Sequence, residues 1–477
     1  MSESLSNRLR DLAAGDIYPF HMPGHKRVIA DGMMESIIKM WYSCDISEIS
    51  GFDNLHHPQG ILLTIKEKAA ALYHAEESFC LINGSTAGIL SAVAALGTAK
   101  KLLVSRDSHL SVYHAAYLFG ISLVYASPQE SEIAAKLASD PDIEAILITS
   151  PSYEGISHDV AAIARLAYYH NIPLIVDQAH GAHFGLHPDL SENAVRQGAD
   201  IVVHSLHKTL PSLTQTALLH VCGKRIDRRV LRRYLRIFQS SSPSYPLLVS
   251  IEQCIDMMET EGAARFDQML TWRQDFIDQV SQLKKLYIDK SQKGNDPCKI
   301  VIRIADGSQD NQCRDMTGGL LADILRKDHH LEMEYFARDY VVAIVTVMDK
   351  HEGFVRLAKA LSAIDRSLVI DTKAKEEKRT KRDLSLPTLP EAMMTITEAY
   401  NSEMTEIALP AAAGNVAAEF VVPYPPGIPL LVPGERIDAG ILEVIQVSLA
   451  SGITINGLST TANGEYTLPI IKTRVCQ

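Results

Sequence analysis

The sequence lacks long apolar runs and lacks an excess of basic residues. No uninterrupted apolar stretch reaches about 18 residues, the length that a helix needs to cross a bilayer, so no membrane span is predicted. The formal net charge is −11. This balance argues against a nucleic-acid or anionic-membrane partner, because both bind positively charged surfaces. The hydrophobic fraction of 46% and the charged fraction of 22% are instead typical of a soluble globular protein.

Paired cysteines are missing as well. The seven cysteines are scattered, odd in number and without a CxxC pair, so neither a disulfide framework nor a zinc site is predicted. Residues 1–8 lack the apolar core of a secretory signal. These observations predict a cytoplasmic protein with reduced thiols and no metal.

What is present is an alternation of short apolar runs and helical segments between residues 78 and 221. This pattern predicts an α/β protein with a mainly parallel sheet and helices on both faces. A length of 477 residues allows about two to three domains. We expect an N-terminal segment plus a large cofactor-binding domain over 1–265, a small α+β domain with a charged linker over 266–383, and a C-terminal domain over 384–477.

Two polar residues at the ends of apolar runs carry the functional prediction. Asp177 ends the run 172–177, and Lys208 follows the run 199–203 among hydroxyls and histidines. A desolvated lysine loses its proton and condenses with aldehydes. An acid at a strand end can keep a pyridinium nitrogen protonated. The pair therefore predicts a site for pyridoxal phosphate (PLP), whereas Lys208 alone would be an ordinary surface lysine.

Further polar segments follow other apolar runs. The segment 83–86 opens a helix, where free backbone N–H groups attract a phosphate, although serine and threonine are also ordinary helix caps. His109 could stack on a cofactor ring or lie in the core or at the surface. The segment 150–155 could line the same crevice, because ligands of such sheets bind outside the carboxyl ends of the strands.

The segment that follows Asp177 allows two interpretations. Asp177, His180 and His183 could converge on a metal ion. The tight turn at Gly181 and the lack of further ligands argue against this. Ala179 is small enough for a flat ring to pack against it.

Together these motifs resemble those of the bacterial Orn/Lys/Arg decarboxylase family, in the shorter form without an N-terminal wing domain. The resemblance covers nearly the whole chain, and the combination of motifs is specific although no single motif is. One departure is Gln178, where the family often has an acid. The motifs are Phe20-His-Met-Pro-Gly-His-Lys26, Asn54-Leu-His-His-Pro58, Asn83-Gly-Ser-Thr86, Asp177-Gln-Ala-His-Gly-Ala-His183, 204–215, Gln239-Ser-Ser-Ser-Pro-Ser-Tyr245, Pro423-Tyr-Pro-Pro-Gly-Ile-Pro429 and Pro433-Gly-Glu435.

The resemblance implies a fold-type-I PLP-dependent (aspartate aminotransferase-like) fold and specific roles. Lys208 would bind the cofactor aldehyde, Asp177 would pair with the pyridinium nitrogen, and His109 would stack on the ring. The family's active sites form between subunits, so a homodimer or higher homo-oligomer is implied. The other implied cofactor contacts are Ser85, Thr86, Ala179, His180, Ser205 and His207, with Ser241 or Ser242 reaching a neighbouring subunit's phosphate.

The implied reaction is decarboxylation of a basic L-amino acid. Arginine, converted to agmatine for polyamine synthesis, is favoured, with lysine or ornithine as alternatives. More remote alternatives are an aminotransferase and a non-catalytic binding protein on the same fold. Recognition of a cationic substrate tail should need a carboxylate. The candidates are Asp45, Glu48, Asp53 and Glu435, each of which could equally be a solvated acid.

Overall fold

The computed structural model describes residues 15–21, 23–26, 45–46, 48–97, 101–289, 295–305, 316–368, 390–424, 427–450 and 452–472. The helix predicted near the N-terminus, at 5–14, lies outside these residues. The charged run at 373–382 and the domain boundary predicted at 383 also lie outside them.

A seven-stranded sheet forms the centre of the large domain. Its strands are β2 (Glu77–Leu81), β3 (Lys101–Ser105), β4 (Ser122–Ala126), β5 (Ala145–Thr149), β6 (Leu174–Asp177), β7 (Ile201–His204) and β8 (Ala217–Val221). The spatial order is β2-β8-β7-β6-β5-β3-β4. Strand β8 is antiparallel to both of its neighbours, and the other adjacent strands are parallel. The predicted mainly parallel sheet is confirmed.

Helices cover both faces of this sheet because its strands are apolar on both sides. Leu102 and Val104 point into one core and Leu103 into the other, as expected from the two-residue period of a strand. The first core includes residues of α2, α3 and α7, and the second includes residues of α4 and α5. The helices of this region are α1 (Ile61–Tyr73), α2 (Gly84–Ala94), α3 (Leu110–Phe119), α4 (Glu130–Ser139), α5 (Val160–Tyr169), α6 (Leu206–Thr209) and α7 (Arg228–Phe238).

Two long helices, α8 (Tyr245–Thr260) and α9 (Gly262–Gln279), connect the large domain to a small domain. The sequence predicts one long helical region over roughly 246–286, and the structure has these two helices there. The domain boundary predicted at 265 falls inside α9, whose Phe276 packs against Phe354 with ring centroids 6.3 Å apart. A boundary inside a continuous, packed helix is unfavourable. We therefore propose that the boundary lies at Glu261, between the two helices.

The elements of the small domain are β9 (Leu286–Ile288), β10 (Lys299–Ile304), α10 (Gly318–His329), β11 (Leu331–Met333), β12 (Tyr335–Phe336), β13 (Tyr340–Ile344) and α11 (His351–Ser367). Four of the strands form an antiparallel sheet in the order β12-β13-β10-β9. The helices α10 and α11 pack with this sheet in a core that also includes residues of α1, α8 and α9. A short strand β1 (Tyr18–Phe20) pairs in parallel with β11.

The C-terminal region has its own apolar core, which includes Leu409, Val421, Ile441 and Leu468. Its elements are α12 (Ile396–Tyr400), β14 (Met404–Ala408), β15 (Val422–Pro423), α13 (Ala439–Ala450), β16 (Ile455–Asn456), β17 (Ser459–Thr460) and β18 (Tyr466–Ile471), with a 3₁₀ turn at Leu409–Ala411. Across the part of the chain that the structure describes, every helix is too short or too polar to span a bilayer.

Candidate active site

The carboxyl ends of β2, β3, β5, β6 and β7 meet at one edge of the large sheet, because these strands point in the same direction. Asp177 is the last residue of β6, and His204 is the last residue of β7. Lys208 follows in α6, the short helix after β7. The predicted strand-end residues therefore gather in one crevice, as the general rule for open α/β sheets requires.

The Lys208 amine has the environment of a nucleophile. Its Nζ lies 3.0 Å from Nε2 of His180. Burial lowers the pKa of Lys208, while the nearby carboxylates of Asp177 and Glu334 act in the opposite direction. A lowered pKa enlarges the fraction of neutral amine, which is the form that attacks an aldehyde.

Asp177 is 4% exposed and is held in one orientation by its own turn. Its Oδ1 accepts a hydrogen bond from the backbone N–H of Ala179 at 3.1 Å. Burial raises the pKa of Asp177, and the positive charge of Lys208 lowers it. A carboxylate fixed in this way can bind a protonated ring nitrogen, and the buried Ala179 leaves a flat surface beside it.

The ring of His109 is fixed and neutral. His109 caps α3, and its Nδ1 accepts a hydrogen bond from the Ser111 N–H at 3.2 Å. Burial, with a smaller effect of Lys208, lowers the pKa of His109 to about 4. A Cβ atom at Gly427 would lie 3.2 Å from Nε2 of His109, so a glycine there leaves room for the ring. The imidazole is thus available to stack on a flat cofactor.

Several donors suit a phosphate group. Ser205 is fully buried, and its Oγ has no hydrogen-bond partner among the described residues. The Nδ1 of His207 donates to the carbonyl of Thr216 at 2.9 Å, which leaves Nε2 as the second contact atom. Burial lowers the pKa of His207 to about 4. A buried orphan hydroxyl costs free energy unless a ligand satisfies it, so this end of the crevice fits the phosphate of PLP.

The N-terminus of α2 adds backbone N–H groups at the same edge of the sheet. Ser85 is half-buried and Thr86 is exposed in its first turn. Ser241 and Ser242 are exposed, and the preceding Ser240 donates its N–H to the side chain of Asn83 at 3.3 Å. The structure therefore brings this serine segment beside the helix N-terminus of its own subunit.

Five residues beside the crevice were not predicted from the sequence as site residues, although two of them, Tyr153 and Glu154, lie in the segment 150–155. Tyr153 donates its hydroxyl proton to Glu334, and Tyr340 donates to Glu154 at 2.9 Å. Lys299 belongs to β10, and its Nζ lies 3.0 Å from Nδ1 of His180. Glu334 and Lys299 belong to the small domain, far from the motifs in sequence.

The four carboxylates suggested for the substrate tail are placed differently. Asp53 accepts hydrogen bonds from backbone N–H groups of the loop before α1 and of the first turn of α1, at 2.8–3.2 Å. Glu48 accepts from the Asn54 side chain at 2.6 Å, and Asp45 is exposed. Glu435 is 1% exposed and pairs with Arg106 at 2.9 Å. Because Asp53 and Glu435 are already bound within the chain, their carboxylates support the fold.

The three residues of the alternative metal site have separate partners. Asp177 and His180 make the contacts described above, whereas Nε2 of His183 lies 2.7 Å from Oδ1 of Asp296. Among the described residues, His183, Asp296 and Cys298 form one buried group that could hold an ion. Burial raises the pKa of Cys298, which keeps its thiol protonated, and the nearby cations Arg273 and Lys299 act in the opposite direction. We therefore interpret this group as a hydrogen-bonded charge cluster.

A lysine and a buried carboxylate at adjacent strand ends, next to a helix N-terminus, define a fold-type-I PLP-dependent enzyme. Residues 4–291 match the family model described as Orn/Lys/Arg decarboxylase, major domain, and residues 378–469 match the C-terminal domain of the same family. The chain therefore belongs to the Orn/Lys/Arg decarboxylase family. The family resemblance identified from the motifs is confirmed.

Relatives with assigned names agree with this result. The chain is 29% identical to the arginine decarboxylase of Bacillus anthracis, over 92% of this chain and 91% of that protein. It is 28% identical to the arginine decarboxylase of Bacillus subtilis (strain 168), over 92% of each. The solved structure of the constitutive lysine decarboxylase of E. coli superposes with a TM-score of 0.75 at 20% identity, covering 98% of this chain and 81% of that one.

Proposed function

We propose that the protein decarboxylates a basic L-amino acid with PLP, and that arginine is converted to agmatine for polyamine synthesis in the cytoplasm. The observation that carries the proposal is Lys208 beside Asp177 at adjacent strand ends, in a chain of the decarboxylase family. The relatives named arginine decarboxylase support the choice of arginine.

The roles of the chain's own residues follow from their contacts. Lys208 would offer its neutral amine to the cofactor aldehyde, and Asp177 would hold the proton of the ring nitrogen. His109 would stack on the ring, while Ser205, His207 and the N-terminus of α2 would bind the phosphate. Bound there, PLP would supply a conjugated electron sink for the electron pair that remains when CO₂ departs.

An acidic–aromatic rim, formed by Tyr153, Glu154, Glu334, Tyr335 and Tyr340, borders the crevice beside Lys208. The ring centroid of Tyr335 lies 5.5 Å from that of Tyr153 and 6.1 Å from that of Tyr340. Aromatic faces and carboxylates both attract cations, and a planar guanidinium can stack on a ring while it binds a carboxylate. The rim therefore suits a basic substrate tail and disfavours an acidic one.

Within this rim we propose Glu334 as the carboxylate that binds the substrate tail. Its charge raises the pKa of Lys208 and of Lys299 against the effect of burial, so it faces the reacting end of the crevice. Glu334 is preferred because its charge acts on Lys208, whereas Asp53 and Glu48 accept hydrogen bonds within the N-terminal loop and Glu435 pairs with Arg106. Asp45 is exposed and stays a candidate.

The enzyme should prefer arginine in competition assays that follow amine and CO₂ release. Lysine and ornithine should react more slowly, and glutamate and aspartate should not react, because an acidic tail is repelled by the rim. A clear preference for lysine or ornithine would show that arginine is not the preferred substrate. The proposed class, decarboxylation of a basic amino acid, would still stand. Preference for an acidic or aromatic amino acid would overturn the substrate class.

The same assay tests Glu334 through Glu334→Gln. A charge-assisted contact contributes about 1.5–3 kcal/mol, so kcat/KM for arginine should fall about tenfold to a hundredfold. Most of the change should appear in KM. Glu154→Gln serves as the matched control, and an equal or larger effect there would move the role from Glu334 to Glu154.

We also propose that the active protein is at least a homodimer. Ile49, Phe52 and Ile61 are apolar side chains exposed by 53%, 43% and 49%. The backbone carbonyl of Phe52 accepts a hydrogen bond from Tyr245, which places this apolar patch beside the serine segment 240–242. An exposed apolar patch next to candidate phosphate ligands suits an interface that completes the site.

Light scattering should therefore give a mass of at least twice 52.5 kDa for the active enzyme. Phe52→Asp should weaken the assembly and lower activity with it, because a charge would be buried at the interface. Tyr169→Asp is the control, since Tyr169 is 83% exposed on α5. A fully active monomer would contradict the proposal.

A further inference from the structure

His180 lies between two lysines. Its Nε2 is 3.0 Å from Nζ of Lys208, and its Nδ1 is 3.0 Å from Nζ of Lys299. A neutral imidazole offers one N–H donor and one acceptor nitrogen, whereas an ammonium group can only donate. Burial and the two nearby lysines hold the pKa of His180 well below its usual range, so the ring is neutral. Both hydrogen bonds can form only if one of the two lysines is an unprotonated amine.

The surroundings assign the positive charge to Lys299. Two carboxylates act on each lysine, Asp177 and Glu334 on Lys208 and Asp296 and Glu334 on Lys299. The Nζ of Lys299 also lies 5.4 Å from the ring centroid of Tyr153, whose face attracts a cation. Burial lowers the pKa of Lys299 to about 8 against these charges, so it stays mostly protonated at neutral pH. Lys299 then donates to Nδ1 of His180. The Nε2–H of His180 is left to donate to the amine of Lys208.

The Lys299 side chain is tightly confined. Lys299 is 4% exposed. Gly155, at φ +92°, packs against its stem, and a Cβ atom there would lie 2.7 Å from Cγ of Lys299. The backbone N–H of Asp296 also donates to the carbonyl of Gly155 at 2.8 Å. The large domain thus holds the lysine of the small domain in position against His180.

We propose that Lys299 is a positioning residue that fixes His180 as its Nε2–H tautomer and thereby keeps Lys208 unprotonated for the cofactor aldehyde. This inference rests on the proposed role of Lys208. It extends the active site to the small domain. The packing of the two domains would then determine the protonation state of the Lys208 amine. The charged or titratable groups that face Lys208 and His180 among the described residues include Asp177, His109, His207, Lys299, Glu334 and Tyr153, whose ring centroid lies 4.6 Å from that of His180.

The test measures the reactivity of Lys208 in the full-length apoprotein, prepared from the purified enzyme by removal of its cofactor. Trace acetylation with labelled acetic anhydride between pH 6 and pH 10, followed by peptide mass spectrometry, gives the midpoint at which Lys208 becomes reactive. In Lys299→Met the midpoint should rise by about one pH unit. The positive charge near Lys208 is lost, and His180 is no longer held as its Nε2–H tautomer. Reactivity at neutral pH should fall about tenfold.

Two variants separate this role from a general loss of packing. Lys299→Arg keeps a charged donor and should retain the parental midpoint. Lys285→Met removes another buried lysine of the small domain, whose Nζ binds the carbonyl of Asp365 at 2.9 Å, and should also leave the midpoint unchanged. A folded Lys299→Met whose midpoint moves by less than about 0.3 unit, or moves downward, overturns the proposal.

If Lys299→Met does not fold, Gly155→Ala provides the measurement, because its new methyl group displaces the Lys299 stem. The midpoint should again rise, and an unchanged midpoint in the folded variant overturns the proposal. The readout needs neither cofactor nor substrate. A shifted midpoint in a protein that decarboxylates no basic amino acid would reject the proposed function while the role of Lys299 stands.

Discussion

The Lys208→Ala variant is expected to lose decarboxylation by at least about a thousandfold, which corresponds to about 4 kcal/mol of activation free energy. Alanine has no amine to bind the cofactor aldehyde, and the crevice loses the group that His180 and Asp177 surround. Borohydride should no longer attach the cofactor to the protein. Initial rates of CO₂ release and the absorbance of the reduced, denatured protein check both outcomes.

Lys285→Ala is the matched control for this experiment. It also removes a partly apolar, buried side chain and an amine, but its amine binds the carbonyl of Asp365 at the end of α11. Its turnover should stay near that of the parent even if its thermal stability falls. A Lys208→Ala enzyme within about tenfold of the parent rate would show that another residue is the nucleophile.

The Asp177→Asn variant should retain bound cofactor and lose turnover by well over tenfold. An amide can accept a hydrogen bond, but it carries no charge to keep the pyridinium proton in place, so electron withdrawal weakens. The same substitution removes the negative charge that raises the pKa of Lys208. Cofactor content by absorbance and single-turnover rates separate loss of binding from loss of chemistry.

Asp200→Asn is the control, because Asp200 is another buried carboxylate but lies before the amino end of β7 and pairs with Arg225 at 2.8 Å. This variant should be less stable than the parent but should decarboxylate its substrate at a similar single-turnover rate. A fall of less than about tenfold, or about 1.4 kcal/mol, in Asp177→Asn would count against the role of Asp177.

Local patterns account for most of the large domain. Apolar runs bounded by polar residues gave the strands, and the strand ends at Asp177 and His204 agree with the structure. The parallel order follows from helices that cross between consecutive strands. The antiparallel course of β8 was not visible, because a short apolar run carries no information on its direction.

The candidate site contains residues that the motifs had indicated and others that the sequence analysis missed. Lys208, Asp177 and His109 follow strands, so the topology brings them together. Glu334 and Lys299 come from the small domain, and their positions depend on how the two domains pack. No local signal in the sequence indicates such packing.

The tail carboxylates show a second limit of sequence reasoning. Asp53 and Glu435 stand in loops beside distinctive motifs, which favours a functional interpretation. Their partners, backbone N–H groups for Asp53 and Arg106 for Glu435, become visible only in three dimensions. A carboxylate can hold a loop or bind a ligand, and its hydrogen-bond partners decide between the two.

The most direct test of the account is to map the site at which the cofactor attaches. The purified holoenzyme is reduced with borohydride and digested, and the pyridoxyl-labelled peptide is sequenced by mass spectrometry. Three buried lysines lie close enough to Glu334 for its charge to raise their pKa: Lys208, Lys299 and Lys26. Each of them is therefore a chemically reasonable attachment site for the cofactor. The label is predicted on Lys208 alone, at about one per subunit. A label on Lys299 or Lys26 would contradict the account.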